Sequence, residues 1–257
     1  MKTLSGARRL ARPPAGRRGW KTVQFLLLMV LIGELGMALW SSPALRVRHL
    51  VVEGIALTRP EQVVREAGIG DRSSWVFLPT ARVAHRIQRL PTVLEAVVRR
   101  GMPGTVYITV FERQPIAVLS TVQGNYWVDV RGVPFWKVEG AGRLPVVRVE
   151  APLSVVYGRA VRSKPVQTAL EILYRYVPEY GLPVVEIVVD GEGNLCLNMR
   201  EGLPPVKAGD SSDLPRKMEL LAHLWSQPQI VRHAEYLDLS CAERPVWKPH
   251  GQKKGAL

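Results

Sequence analysis

Five histidines, His49, His85, His223, His233 and His250, are the side chains best suited to acid–base chemistry near neutral pH. No two of them stand at the H-E-x-x-H spacing that puts zinc ligands on one helix face. The two cysteines, Cys196 and Cys241, are 45 residues apart and form no C-x-x-C pair. That count excludes a disulfide-dense scaffold and a cysteine-based zinc ribbon. A single disulfide is permitted if both lie outside the cell. Two separate thiols are the favoured expectation, because free cysteine behaves as a small buried hydrophobe. No G-x-S-x-G, Walker loop or dinucleotide-binding glycine pattern is present. Arg99-Arg100 reads as a solvated hairpin end rather than a phosphate site. The expectation is a protein with no enzyme activity, no cofactor and no metal, so the chemistry to look for is binding.

Charge is the other candidate signal. The 257 residues carry 35 Lys+Arg against 22 Asp+Glu, a formal net charge of +13, which invites a nucleic-acid reading. The distribution argues otherwise. Residues 1–21 hold Lys2, Arg8, Arg9, Arg12, Arg17, Arg18 and Lys21 and no acid, and the rest of the chain nets only +6. Directly after this tail, Val23–Trp40 reads VQFLLLMVLIGELGMALW, with Glu34 its one charge. A helix crossing the bilayer core needs roughly 17–25 apolar residues, and Trp20 and Trp40 flank the run as interfacial aromatics do. The segment 22–41 is therefore expected to span a membrane. Arg8, Arg9, Arg12, Arg17, Arg18 and Lys21 would orient it, with the N-terminus in the cytoplasm. Ser42-Pro43-Ala44 keeps a second reading open, a cleaved signal peptide releasing an envelope-associated β-domain binding protein. An h-region of about 7–15 residues would be usual there, and this run is longer. Glu34 should cost about 2.5–3.5 kcal/mol at a helix centre. It is either hydrated or protonated near the outer end, or in contact with another membrane helix.

The elements beyond the span follow from periodicity. LRVRHLVVEG alternates as a strand ending at Gly54. Thr58-Arg59-Pro60-Glu61 has the spacing of a capping box, followed by Val63, Val64 and Ala67 on one helical face and Gly68 as a stop. A second helix is expected from Thr80, with Val83, Ile87 and Leu90 in register and Pro91 ending it. Val93–Val98 and Thr105–Phe111 are strands around a turn-rich connector. The order β-α-α-β-β closes a small core over about residues 45–115.

Ile116–Val122, Tyr126–Val130 and Val133–Lys137 then read as strands around Gly124-Asn125 and Arg131-Gly132. A helix from Lys164, with Ser163 as cap and Pro165 in its first turn, carries Val166, Ala169, Leu170, Leu173 and Val177 on one stripe. Val184–Val189 and Leu195–Met199 are strands, with a further one at Leu203–Lys207. A last helix carries Leu214, Met218, Leu221 and Trp225, and a final strand lies near Glu235–Leu239.

These residues resemble the FtsQ/DivIB family of bacterial cell-division proteins. VRHLVVEG is similar to the opening strand of its POTRA domain. LPTVLEAVVRRGMPGTVYITVFERQPIAVL is similar to the following helix end and paired strands, with the E-R-x-P-x-A signature at Glu112-Arg113-Gln114-Pro115-Ile116-Ala117. Val128-Asp129-x-x-Gly132-Val133-x-Phe135, PVKAGDSSDLPRKMELLAHLW and Tyr236-Leu237-Asp238-Leu239 resemble segments of the family's second domain. Ser240 departs from the usual arginine, and Ala208-Gly209 from Leu-Gly. The resemblance covers about residues 20–248.

It implies an α+β fold: a single N-terminal transmembrane helix, a POTRA domain and a mixed β domain with two packed helices over 116–242. A flexible basic tail is expected at 243–257. It implies a scaffold in the cell membrane at the septum that links early and late division proteins, with FtsB/DivIC- and FtsL-type partners. A strand edge offers unpaired N–H and C=O groups to which an extended partner can add. The family's contact maps here onto Tyr236, Leu237, Asp238, Leu239, Ser240, Cys241 and Ala242. Two other classes are disfavoured. An outer-membrane assembly factor would need a β-barrel, and a nucleic-acid binder would need a basic outer region.

Overall fold

The computed structural model describes residues 16–41, 45–70, 73–102 and 104–249. Helix α1 spans Gly16–Ser41, and within it Trp20–Ala38 is long and apolar enough to cross a membrane. At 1.5 Å per residue that stretch is about 28 Å long, close to the bilayer core. Phe25, Leu26, Leu27, Leu28, Leu31 and Ile32 are all more than half exposed. Apolar side chains on every face with no protein cover are the pattern of a lipid-facing helix. Arg17, Arg18 and Lys21 fall within α1, while Arg8, Arg9 and Arg12 lie outside the described residues.

Spatial proximity of its segments divides the chain into two compact units. The first contains α1, the following residues to Val51, Ile69–Pro79 and Arg100–Val106; the second contains Val52–Gly68, Thr80–Arg99 and the chain from Tyr107 on.

After α1 come β1 (His49–Glu53), α2 (Pro60–Ala67), α3 (Thr80–Ile87), β2 (Val93–Gly101) and β3 (Thr105–Glu112). The three strands form one sheet in the order β1-β3-β2. Val106, Ile108 and Val110 alternate as buried positions on β3, and Val63, Ala67, Val83 and Ile87 are the buried stripes of the helices. The β-α-α-β-β order is as the periodicity predicts, but three local details differ. The capping box does not form. Arg59 is the N-cap of α2 and makes no side-chain cap. Thr58 instead meets Thr92 hydroxyl to hydroxyl at 2.7 Å, and its N–H donates to Glu112 Oε1 at 2.7 Å. Val64 lies on the exposed side of α2. Helix α3 stops at Ile87, so Leu90 lies beyond it, in line with the bias of a residue before proline against helical geometry.

The signature pair Glu112-Arg113 explains itself sterically and electrostatically. Glu112 accepts from the backbone N–H groups of Ala56, Leu57 and Thr58 at 2.7–2.9 Å. Burial pushes its pKa up, but the bonds from Thr58, Leu57 and Ala56 outweigh that and hold the carboxyl below the usual range. Arg113 donates Nε to the Pro91 carbonyl at 2.9 Å and Nη1 to Asp129 at 2.5 Å, so it ties the end of the α3–β2 connection to the turn that starts at Asp129.

The remaining strands are β4 (Ala117–Thr121), β5 (Gly124–Val128), β6 (Pro134–Val138), β7 (Val146–Val149), β8 (Val184–Val189), β9 (Leu195–Met199), β10 (Val206–Gly209), β11 (Ala234–Asp238) and β12 (Val246–Pro249). They make a nine-stranded sheet in the order β12-β11-β10-β9-β8-β7-β4-β5-β6. Strand β7 pairs in parallel with both β4 and β8. The hairpin between β4 and β5 turns at Val122-Gln123, not Gly124-Asn125, which are already in β5. Helix α4 (Lys164–Glu171) continues through a π-helical turn, Ile172–Tyr176, into α5 (Val177–Tyr180). Ser163 is its N-cap residue but its hydroxyl makes no cap bond. Helix α6 runs Leu214–Trp225 as expected. It is not the last, since α7 (Pro228–His233) follows. These helices and one face of the sheet share a single core that includes Leu119, Ile172, Ile187, Leu197, Met218 and Leu237.

Candidate partner-docking edge

One row of residues crosses the sheet in register. Leu119 pairs with Val147, Val147 with Ile187, Ile187 with Leu197, Leu197 with Val206, and Val206 with Leu237. All six are 0% exposed. The row is the middle of the core, and its two ends show what each sheet edge presents. At one end Leu237 pairs with Trp247 of β12. At the other Leu119 pairs with Tyr126, and Tyr126 with Lys137 of β6.

This changes the candidate site. The strand that holds Tyr236, Leu237 and Asp238 is β11, which lies between β10 and β12 and is no edge. Leu237 and Leu239 are fully buried and Ala242 nearly so. Leu237 N–H donates to the Pro205 carbonyl at 3.0 Å and Leu239 N–H to the Lys207 carbonyl at 2.7 Å. Their main-chain and side-chain capacity is spent inside the domain. Tyr236 and Asp238 are half-buried, and Ser240 and Cys241 are exposed. Of the seven, these four reach the surface.

The edge belongs to β12, which pairs antiparallel with β11, Asp238 opposite Val246 and Tyr236 opposite Lys248. No strand lies beyond it among the described residues. It falls within 243–257, the stretch expected to be a flexible tail, whose residues 250–257 lie outside the described residues. Val246 and Trp247 are 59% and 40% exposed. Beside Trp247 a cleft of about 320 Å³ is lined by Gln229, Ile230 and His233 of α7. A strand edge next to an apolar cleft can take an added strand by its main chain and one side chain by its pocket. Periodicity missed β12 because a four-residue strand has no period to read. The one available signal was a Val-Trp pair amid charged residues.

The other face of this edge is polar. Lys207 Nζ lies 4.4 Å and Lys248 Nζ 6.0 Å from the Tyr236 ring centroid, and Lys248 pairs with Glu235 at 2.7 Å. That bond raises the Lys248 pKa, so the ammonium stays charged. Cys196 faces Lys207 in the β9–β10 register. Burial pushes its thiol up despite the neighbouring lysine, and both it and Cys241 are free thiols.

A buried corner supports the edge. Gly209, at φ 68°, comes so near Ser240 that a Cβ would lie 2.8 Å from its Cα, so Ala208-Gly209 admits no larger second residue. Lys217 of α6 is 1% exposed and donates Nζ to the carbonyl and Oδ1 of Asp210, both at 3.0 Å. The Ser212 hydroxyl and then Lys217 hold the Asp210 carboxyl down to about 2. Charge-assisted bonds of this kind pin the chain after β10 onto α6. Among the described residues, no group of three or more His, Cys, Asp and Glu could hold a metal ion. His223 meets the Gln227 side chain in the α6–α7 connection at 3.1 Å, and His233 the Gln229 carbonyl of its own helix at 2.8 Å.

Comparison with known proteins places the chain. The family model for the POTRA domain, FtsQ-type, matches residues 45–113. Cell division protein FtsQ of Anaeromyxobacter sp. (strain K) is 31% identical over 215 residues, covering 81% of this chain and 72% of that protein. Cell division protein FtsQ of Mycobacteroides abscessus is 28% identical over 218 residues, covering 83% and 68%. That of Mycobacterium tuberculosis (strain H37Rv) is 28% identical over 219 residues, covering 84% and 67%.

Proposed function

The chain belongs to the FtsQ family of cell division proteins, and on that premise we propose that it is a non-enzymatic membrane scaffold of the division machinery. In this reading residues 1–21 are a cytoplasmic tail held there by Arg8, Arg9, Arg12, Arg17, Arg18 and Lys21. Residues 22–41 cross the cell membrane, 45–115 form the POTRA domain and 116–242 the FtsQ-type β domain, both outside the membrane at the septum. The observation that carries the reading is the open β12 edge with Trp247 at the end of the buried row. FtsB/DivIC- and FtsL-type partners would add there as a strand, with a side chain in the cleft of Gln229, Ile230 and His233. Tyr236, Asp238, Ser240 and Cys241 would flank the contact, while Leu237, Leu239 and Ala242 would hold β11 in place beneath it.

The test is co-purification of the full-length protein with its own FtsB- and FtsL-type proteins from cross-linked membranes. Trp247→Glu and Val246→Glu should each abolish capture while leaving the unfolding free energy of the outer region within about 1–2 kcal/mol of wild type, well short of the loss expected at a core position. Undiminished capture by both variants would refute docking at β12.

A further inference from the structure

The first compact unit carries a surface that partner docking does not use. Beyond α1 it consists of three segments, 45–51, 69–79 and 100–106, which backbone bonds stitch together. Trp75 N–H donates to the Leu45 carbonyl at 2.7 Å, Val47 N–H to Ser73 at 3.0 Å, and Arg48 N–H to Gly104 at 2.8 Å. Arg46 and Ser74 form an antiparallel bridge. Trp75 Nε1 donates to the Thr105 carbonyl at 3.1 Å, and the Arg100 guanidinium to the Val76 carbonyl. Gly104, at φ 66°, approaches so closely that a Cβ would lie 3.0 Å from the Arg46 carbonyl oxygen. The three segments therefore form one rigid tip.

Two properties of that tip are unlike an ordinary solvated loop end. Met102 is 84% exposed and Phe77 57% exposed, apolar side chains at loop tips where polar ones cost nothing. By sequence its three segments hold Arg46, Arg48, Arg72 and Arg100 against the single acid Asp71, a net +3, although the chain outside residues 1–21 carries only +6 over 236 residues. The third property is covalent. Leu45 is four Cα steps from Ser41, the end of α1, and four fully extended residues reach at most about 14 Å. A helix that crosses a bilayer therefore leaves this tip within reach of the headgroups.

We propose that this tip is a lipid-binding foot. Arg46, Arg48 and Arg100 engage the anionic headgroups of the bilayer that α1 crosses, and Met102 and Phe77 enter its interface. Arginines beside apolar side chains are the composition of interfacial anchoring, attraction and apolar burial acting together. The foot would fix the height of the outer domains above the membrane. The proposal rests on the membrane-anchor reading of α1, and its test separates the two.

Full-length protein with Cys196→Ser and Cys241→Ser is reconstituted in nanodiscs of phosphatidylcholine with or without phosphatidylglycerol. Spin labels are placed singly through Met102→Cys, Val122→Cys and Leu28→Cys, and collision with a water-soluble nickel relaxant is measured. Val122 is 78% exposed in the β4–β5 turn and reports free solvent. The expected result is that phosphatidylglycerol shields the label at 102 but not that at 122. Arg46→Gln and Arg48→Gln should each lower the shielded population about fivefold. A label at 102 as open to water as that at 122, or shielding that ignores phosphatidylglycerol, overturns the foot while a lipid-immersed label at 28 leaves the anchor standing. A water-exposed label at 28 overturns both.

Discussion

The two edges of the nine-stranded sheet each carry a Trp-Lys pair, Trp136-Lys137 on β6 and Trp247-Lys248 on β12, but differ in which residue of the pair ends the buried row and in what covers the strand. At β6 the register row ends in Lys137, an exposed cation on a strand that begins with Pro134. The Gly158 N–H donates to the Pro134 carbonyl at 2.9 Å, and Tyr157 packs edge-on to Tyr126, ring centroids 5.5 Å apart, so a loop covers the start of that edge. Lysine, proline and a covering loop are the devices by which sheet edges avoid pairing with other chains. At β12 the same row ends in Trp247, half-open beside a cleft, with Pro245 just before the strand and Pro249 at its last position. Among the described residues, one edge of the sheet is thus covered by a loop and the other is not. The difference teaches that a covering loop, more than the residue types of the edge strand, separates the two edges.

The largest effect should come from breaking the row that both edges share. Leu237→Asp places a carboxylate in a fully buried site and should cost about 4 kcal/mol or more. Urea unfolding of the outer region would show it as a lost or strongly shifted transition. Next, Lys217→Ala removes two charge-assisted bonds from the corner that supports only the β12 end, at a cost of about 2–3 kcal/mol. Hydrogen exchange should then rise in β10, β11 and β12 while β4, β5 and β6 keep their protection; a uniform rise would mean that the two ends are not separable. Lys137→Val should change stability by no more than about 0.5 kcal/mol, yet open the closed edge, with self-association visible by sedimentation. If the variant stays monomeric, Pro134 and the covering loop suffice without the cation.

The smallest effect is in pH. Asp210 has an ordinary value of 3.8 and is held at about 2 in the folded protein. A depressed folded pKa means that its contribution is present above pH 4 and is lost as pH falls through about 2. Asp210→Asn should flatten the acid limb of the stability curve in that window. An unchanged acid limb would show that the Ser212 and Lys217 contacts do not persist in solution.

Local elements were legible in the residues to different depths. Val184–Val189 and Leu195–Met199 could be read to the residue, because a β-branched run and a short alternating apolar run flank an Asp-Gly turn. The apolar helix and the two amphipathic helices before β2 followed from composition and 3.6-residue spacing. Strands β7 and β12, four residues each, were not legible: both are too short to show a period, and β7 pairs with strands some 28 and 40 residues away. The capping box at Thr58 failed for the second of these reasons: Glu112, 54 residues on, takes the N–H of Thr58.

What the residues determined by themselves was the class of molecule: a basic tail, one apolar helix, a β-α-α-β-β module and a mixed sheet. Those features rest on interactions within a few turns, between side chain and solvent or lipid. Tertiary structure decided which strand is an edge. Tyr236-Leu237-Asp238-Leu239 has the pattern of a last strand, and only the return of Val246–Pro249 along its open side buries it. Edge status is a property of the neighbour a strand acquires, and no local pattern encodes that neighbour.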